Sequence, residues 1–529
     1  MVVSQHGIAA TSQTLASQAA ARILERGGSA ADAAIAANAV LGLIEPMMNG
    51  IGGDLFALYW ESATGKLTGI NASGPAPNAL SCEHLARLGH TEMPAEGIHA
   101  VTVPGAVDGW SRMHSRFGKL KWPALFDDAI AYAEQGFPVP EIVHELWNAP
   151  AAMHKLQSHS ETARVFLPAP RHGDVFRNPG LAAAYQLLAR EGSDAFYRGA
   201  IASAILETSG ALEGSLNAAD LSSYESEWVE PISTDYRGWR VFELPPNGQG
   251  IAALEMLNIM DAAASTGRQR ADSPEELHRR IESMKLAFAD VYRYNADPRH
   301  CPIPVPQLLS KSYARERASL IDPHRANAHV RCGELPTSDT VYLAVVDRQG
   351  NIASWIQSIY SSFGSGITVK GFGFELQNRG AGFTLDPLHP NVLKGGKRPF
   401  HTIIPGFMQK DHLHMGFGIM GGANQPMAHA QFVSNIVDYE MNLQQALEFP
   451  RFFKGSPSGC EVAFETRVPD SALDRLTEMG HVVLDRPEYS QEMGRGQAVL
   501  HNSKTKTNYA ASDPRSDGAA IPEPFPSHS

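Results

Sequence analysis

The sequence predicts an α+β fold, helix-rich first and strand-rich last. Two observations carry this expectation. Apolar residues recur at helical spacing through much of residues 105–300, most clearly over 123–134, 181–191 and 275–294. Beyond about residue 337 the segments TVYLAVVD, NIASWIQSI, ITVKGFGFELQN, HTIIPGFM and HLHMGFGIM have strand character. With 529 residues, 43% of them hydrophobic and 19% charged, the chain has room for a large core and no signature of disorder.

The first element is a helix over 12–26, with Thr11 and Ser12 as cap and Leu15, Ala19 and Ile23 on one face; Gly27 and Gly28 end it. A second helix over 30–43 is so rich in alanine that neighbours can approach it on more than one side, which predicts an interior position, and Pro46 stops it. Residues 54–70 alternate about Thr64-Gly65 and read as a β-hairpin. In STDYRGWRVFELPPNGQG, Arg237-Gly238 turns one strand into the next, and Pro245-Pro246-Asn247-Gly248 leads into a helix beginning near Gln249. A hairpin follows over 341–346 and 352–356, with RQGN as its turn, and a helix is expected over 427–433. Residues 512–529, rich in Pro, Ser and Asp, read as a surface tail.

A formal net charge of −12, without a basic stripe, excludes a nucleic-acid partner and favours a small-molecule substrate. MVVSQHGIAATSQTLASQAA has neither the cationic region nor the apolar stretch of a secretory signal, so a cytoplasmic location is expected. No uninterrupted apolar run reaches the roughly 18 residues of a membrane span. Cys82, Cys301, Cys332 and Cys460 are scattered without the CxxC spacing of a zinc or redox site.

NGIGGD, residues 49–54, follows a helix and precedes a strand, the reverse of a dinucleotide-binding loop; it serves either close backbone packing or the lining of a site. His412 and His414 would share one side of a strand, as two metal ligands could, but no supporting ligand stands at a suitable spacing and no metal is expected. Gly421-Gly422, between a strand and a helix, is either a plain turn or a pair of backbone N–H groups aimed at an oxyanion. Thr340 opens a strand just after Thr337 and Ser338, where a hydroxyl ordinarily caps.

Further motifs run in order through most of the chain: RGGSAADAAIAANAVLGLIEPMMNGIGGDLFAL, VPGAVDGW, YRGWRVFELPPNGQG, TVYLAVVDRQGNIAS, SSFGSG, GKRPFHTIIP, MGGANQP and ASDPRSDG. With them the sequence resembles the γ-glutamyltransferase family of N-terminal nucleophile hydrolases. The resemblance implies a four-layer αββα sandwich and a proenzyme that cuts itself between Asp339 and Thr340, in a loop that Thr337 and Ser338 help to present. The fragments would be a helix-rich one of 339 residues and one of 190 residues that begins at the nucleophile, held together as one intertwined domain. A homodimer, or a dimer of such heterodimers, is compatible with this. Thr340 would then own a hydroxyl nucleophile and an α-amine of pKa about 7.7 to 8.0 that serves as its base, so no cofactor or metal is required. By the same resemblance Ser358 hydrogen-bonds the nucleophile, and Gly421 and Gly422 form the oxyanion hole.

The residues that grip a γ-glutamyl group in this family are altered. Ser73 stands where an arginine is expected, Tyr360 for an asparagine, Gly382 for the acid that meets the α-ammonium, and His401 and Thr402 for paired serines. Each charge-assisted hydrogen bond lost removes about 1.5 to 3 kcal/mol of recognition. The pattern looks more like the oxamate amidohydrolase branch, with Arg379 and His401 as carboxylate partners and Thr402 as a further donor. Other readings are a γ-glutamyl hydrolase or transferase, an acylase of bulkier side-chain amides, and an unprocessed, non-catalytic binding scaffold.

Overall fold

Seven of the fifteen residues in the segment Ala30–Ile44 are alanine, which leaves no bulky face, and the segment is accordingly a helix buried along its whole length. Ser29 caps it, its side chain accepting from Asp32 N while the Asp32 carboxylate accepts from Ser29 N. This helix and its neighbour Thr14–Glu25 cover one face of a seven-stranded antiparallel sheet. The computed structural model describes residues 1–263, 269–330 and 339–525.

That sheet runs in the order Ala519–Pro522, Ile8–Thr11, Asp339–Val346, Ile352–Tyr360, Asp54–Glu61, Lys66–Ala72, Glu227–Val229. A second sheet of seven strands contains Leu413–Met420, Gly406–Lys410 and the Ile232–Tyr236/Trp239–Glu243 hairpin. The two pack face to face: Trp60 stacks across the interface on Phe407 and His414, and Ser354 Oγ donates to Gly406 O at 2.8 Å. Tyr342 lies over Gly418, where an added Cβ would come within 2.4 Å of its ring. Helices Gly250–Ala262, Pro274–Tyr294 and Gln425–Val437 cover the outer face of the second sheet through Leu254, Met284, Met427 and Phe432. The result is the predicted α+β sandwich of four layers, helix, sheet, sheet, helix.

Several local expectations change. The first helix is capped by Gln13, whose side chain accepts from Leu15 N at 2.6 Å; Thr11 belongs to a strand and Ser12 donates to Glu45. The helix expected over 123–134 breaks at Phe126 into a short 3-10 turn, Trp122–Leu125, and the helix Asp127–Gln135. ITVKGFGFELQN is not a strand: Gly371 and Gly373 take φ of 82° and 62°, and only an isolated Thr368–Glu375 bridge forms. In HTIIPGFM the strand begins only at Gly406, because Pro405 has no N–H to give the ladder, and His401–Ile404, apart from an isolated bridge between His401 and Gly248, is left as a strap beside the site. The expected surface tail is structural. Ala519–Pro522 is an edge strand paired with Ile8–Thr11, and Arg515 is buried between Glu465 and Asp513 at 2.7 and 3.0 Å. Cys82, Cys301 and Cys460 are free thiols. Thr337, Ser338 and Cys332 lie outside the described residues. No helix among the described residues is long and apolar enough to cross a membrane.

NGIGGD packs backbone on backbone. A Cβ at Gly52 would stand 2.1 Å from Glu375 O and one at Gly53 2.3 Å from Ser358 O. Gly53→Ala therefore has to push the strand carrying Ser358 away, and we expect a loss on the order of 1 to 3 kcal/mol, read as a lowered melting temperature.

Candidate active site

Thr340 stands near the head of the central strand Asp339–Val346, at a register irregularity between residues 339 and 341, with its side chain fully buried. Its Oγ1 donates to Ser358 Oγ at 3.4 Å, and Ser358 Oγ also accepts from Tyr360 N at 2.8 Å. Ser358 lies on the neighbouring strand Ile352–Tyr360, directly opposite Asp54 on the strand beyond. The sheet register thus brings Thr340, Ser358 and Asp54 into one line.

Asp54 was not singled out by sequence reasoning, although it closes NGIGGD. It is fully buried, and its Oδ1 accepts from Gln377 Nε2 at 2.9 Å, Gly74 N at 3.0 Å and Gly105 N at 3.2 Å. Burial pushes its carboxyl up to about 7, against the pull of Arg379, Gln377 and the two backbone amides. His401 Nε2 donates to Asp54 Oδ2 at 3.0 Å, and His401 Nδ1 accepts weakly from Ile403 N at 3.4 Å. Burial, reinforced by the charges of Arg379 and Arg398, holds this imidazole well below its usual pKa and neutral. Both ring nitrogens of His401, expected as a carboxylate partner, are engaged within the protein.

Arg379 behaves differently. It is fully buried, and its Nη1 donates to Thr402 Oγ1 at 2.8 Å. Its Nε and Nη2 have no hydrogen-bond partner among the described residues. These two nitrogens form one edge of the guanidinium, the edge that receives a carboxylate in a bidentate pair. The Tyr360 ring lies 4.2 Å from the guanidinium carbon, with Tyr360 held at φ 81°. Burial lowers Arg379 to about 10, with Tyr360 and Asp54 opposing, so it remains a cation at neutral pH. Tyr360, expected among substrate contacts, is the cushion beneath Arg379.

Ser73 is fully buried and donates to Asn71 Oδ1 at 2.7 Å while accepting from Asn247 Nδ2 at 3.3 Å, which places it in the support around Asp54 rather than beside Arg379. Gly382 offers no room for an acid side chain, since a Cβ there would meet Phe400 O at 2.8 Å. Gly421 and Gly422, at φ 137° and 60°, follow the strand Leu413–Met420. Gly421 O accepts from Asn424 N at 3.0 Å and Gly422 O from Gln249 Nε2 at 2.8 Å. The first bond fixes the plane that carries Gly422 N–H, and the second fixes the plane that follows.

An αββα sandwich with a buried threonine near the head of a central strand defines the class: the protein is an N-terminal nucleophile hydrolase, an Ntn-type amidohydrolase. A family model for gamma-glutamyltranspeptidase matches residues 16–523, and the chain belongs to that family. It is 36% identical to the glutathione hydrolase-like YwrD proenzyme of Bacillus subtilis over 533 aligned residues, covering 98% of each chain. It is equally 36% identical to the oxamate amidohydrolase proenzyme of Klebsiella pneumoniae over 529 aligned residues, again covering 98% of each. Its structure superposes on that of cephalosporin acylase from Bacillus halodurans with a TM-score of 0.93 and 40% identity, covering 100% of this chain and 97% of the other.

Asp54→Asn would set an NH2 group against either His401 Nε2–H or the three donors on Oδ1. We expect roughly 1 to 3 kcal/mol of stability to be lost for the buried donor left unpaired, measured by thermal unfolding.

Proposed function

We propose that the protein is a self-cleaving amidohydrolase in which Thr340 hydrolyses a small amide whose acyl part carries a carboxylate, with oxamate the leading substrate. The observation that carries this reading is the unpartnered Nε/Nη2 edge of the buried Arg379. A buried guanidinium edge without a partner costs free energy, and a carboxylate is the group that fits it. The absence of space for an acid at Gly382 speaks against an α-ammonium, and so against glutathione.

In this mechanism Thr340 Oγ1 first attacks the preceding carbonyl, and water resolves the resulting ester, leaving the 339-residue and 190-residue segments as one associated unit. The freed α-amine then takes the proton of Thr340 Oγ1 as that oxygen adds to the amide carbon. Gly421 and Gly422 N–H groups receive the oxyanion, and Ser358 holds the nucleophile in place. The C–N bond breaks as the α-ammonium returns its proton to the leaving nitrogen, giving ammonia from oxamate. Water hydrolyses the acyl-threonine ester, releasing oxalate and restoring the hydroxyl.

The likeness to the cephalosporin acylase favours a second reading, in which a longer acyl chain ending in a carboxylate reaches Arg379 and an amine larger than ammonia leaves. An ammonia-release screen over small amides, beside amine release from glutaryl amides, separates the two. Oxamate hydrolysed with a kcat/KM reduced roughly 100-fold or more in Arg379→Ala, from two charge-assisted bonds at about 1.5 kcal/mol each, is the expected outcome. Glutamate released from glutathione at comparable efficiency would sink it. Mass spectrometry should show two fragments in the wild type and a single chain of 57.2 kDa in Thr340→Ala; an intact wild type would make the protein a non-catalytic scaffold.

A further inference from the structure

Gln249 takes no part in the chemistry above, yet its side chain is fully buried and spends its amide on two backbone carbonyls from separate segments. Nε2 donates to Thr402 O at 2.6 Å and to Gly422 O at 2.8 Å. Its own backbone N–H donates to His401 O at 3.0 Å, beside a parallel bridge between Gly248 and His401. The carboxamide oxygen is buried with no partner among the described residues, at a cost of about 1 to 3 kcal/mol. Packing alone would not select such an amide; the two donated bonds are what it supplies.

The two segments are the ones that matter to an acylation site. Thr402 carries the hydroxyl that holds Arg379 Nη1 at 2.8 Å. Gly422 is the second of the paired glycines, and glycine torsions at φ 137° and 60° are not locked by a side chain. Because a peptide unit is planar, with C=O and N–H pointing opposite ways, tying the Gly421 carbonyl fixes where the Gly422 N–H aims, while tying the Gly422 carbonyl fixes the next peptide plane and so the Gly422 ψ. Asn424 N ties the first carbonyl and Gln249 the second.

We propose that Gln249 is a positioning residue that anchors Gly422, at the C-terminal side of the oxyanion pair, and sets its spacing from the Arg379 edge. This deepens the reading given under Proposed function and rests on it for the roles of those two groups. It assigns to the PPNGQG segment a part in transition-state stabilisation, acting through Gly422 without touching substrate.

The test uses the matured protein and two probes. Oxamate reads both ends of the site; p-nitrophenyl acetate, which has no carboxylate, reads Thr340 and the glycines alone. Gln249→Met should slow acylation by both probes roughly ten- to a hundredfold, less than outright loss of an oxyanion donor. Gln249→Glu places a buried carboxyl against two carbonyls, which raises its pKa. Its neutral form has one O–H to donate, and its ionised form has none and repels both oxygens. The rate of Gln249→Glu relative to wild type should therefore be highest at low pH and fall as pH rises, while the ratio for Gln249→Met stays flat. A Gln249→Glu ratio that is also flat, or wild-type rates in both variants, would overturn the proposal, since a merely structural role predicts no such pH signature. A wild type that is acylated by p-nitrophenyl acetate but inert toward oxamate removes the substrate reading alone, and the ester then still reports on Gln249.

Discussion

The site depends on one buried carboxylate. Asp54 sits at the start of an interior strand and gathers Gly74 N, Gly105 N, Gln377 Nε2 and His401 Nε2 around its two oxygens. Four segments distant in sequence are fixed to one point by bonds that charge strengthens, in a surrounding of low dielectric. Opposite Asp54 in the register stands Ser358, the partner of Thr340. The carboxylate therefore holds the walls of the site and indexes the strand that carries the hydroxyl partner of Thr340.

The same constraint explains why Arg379 remains available. The acid whose field it feels is Asp54, whose oxygens already accept from four donors. What it has is Thr402 on one nitrogen and the Tyr360 ring beneath. Tyr360 accepts a left-handed backbone to reach that position, and its N–H meets Ser358 Oγ. Local backbone strain, cation placement and the placement of Thr340 are coupled through three consecutive residues of one strand end. Opposite this edge, the strap His401–Ile404 and the paired glycines are joined through Gln249.

Much of the architecture was legible in the chain. Alanine density marked Ala30–Ile44 as interior, Thr64-Gly65 and Arg237-Gly238 marked their hairpins, and Gly421-Gly422 stood between a strand and a helix as expected. What misled were segments whose apolar content came without pairing. Residues 367–378 alternate like a strand but contain two glycines with positive φ, and the Pro, Ser and Asp of the last stretch disguise the buried ion pairs of Arg515 and an edge strand. Composition reports polarity, whereas burial of a polar group depends on whether partners converge on it.

By itself the sequence determined the order of elements, the α+β class and, through long motifs in series, the family and the threonine on which its chemistry would turn. Those properties are local or are carried by runs of adjacent residues. Only the tertiary structure decided that His401 is committed to Asp54, that Ser73 belongs to an Asn71–Asn247 network, and that Arg379 keeps one edge unpaired. Whether a polar side chain is a ligand or a brace is set by which distant backbone and side-chain groups reach it first. That competition is resolved only when the sheets close on one another.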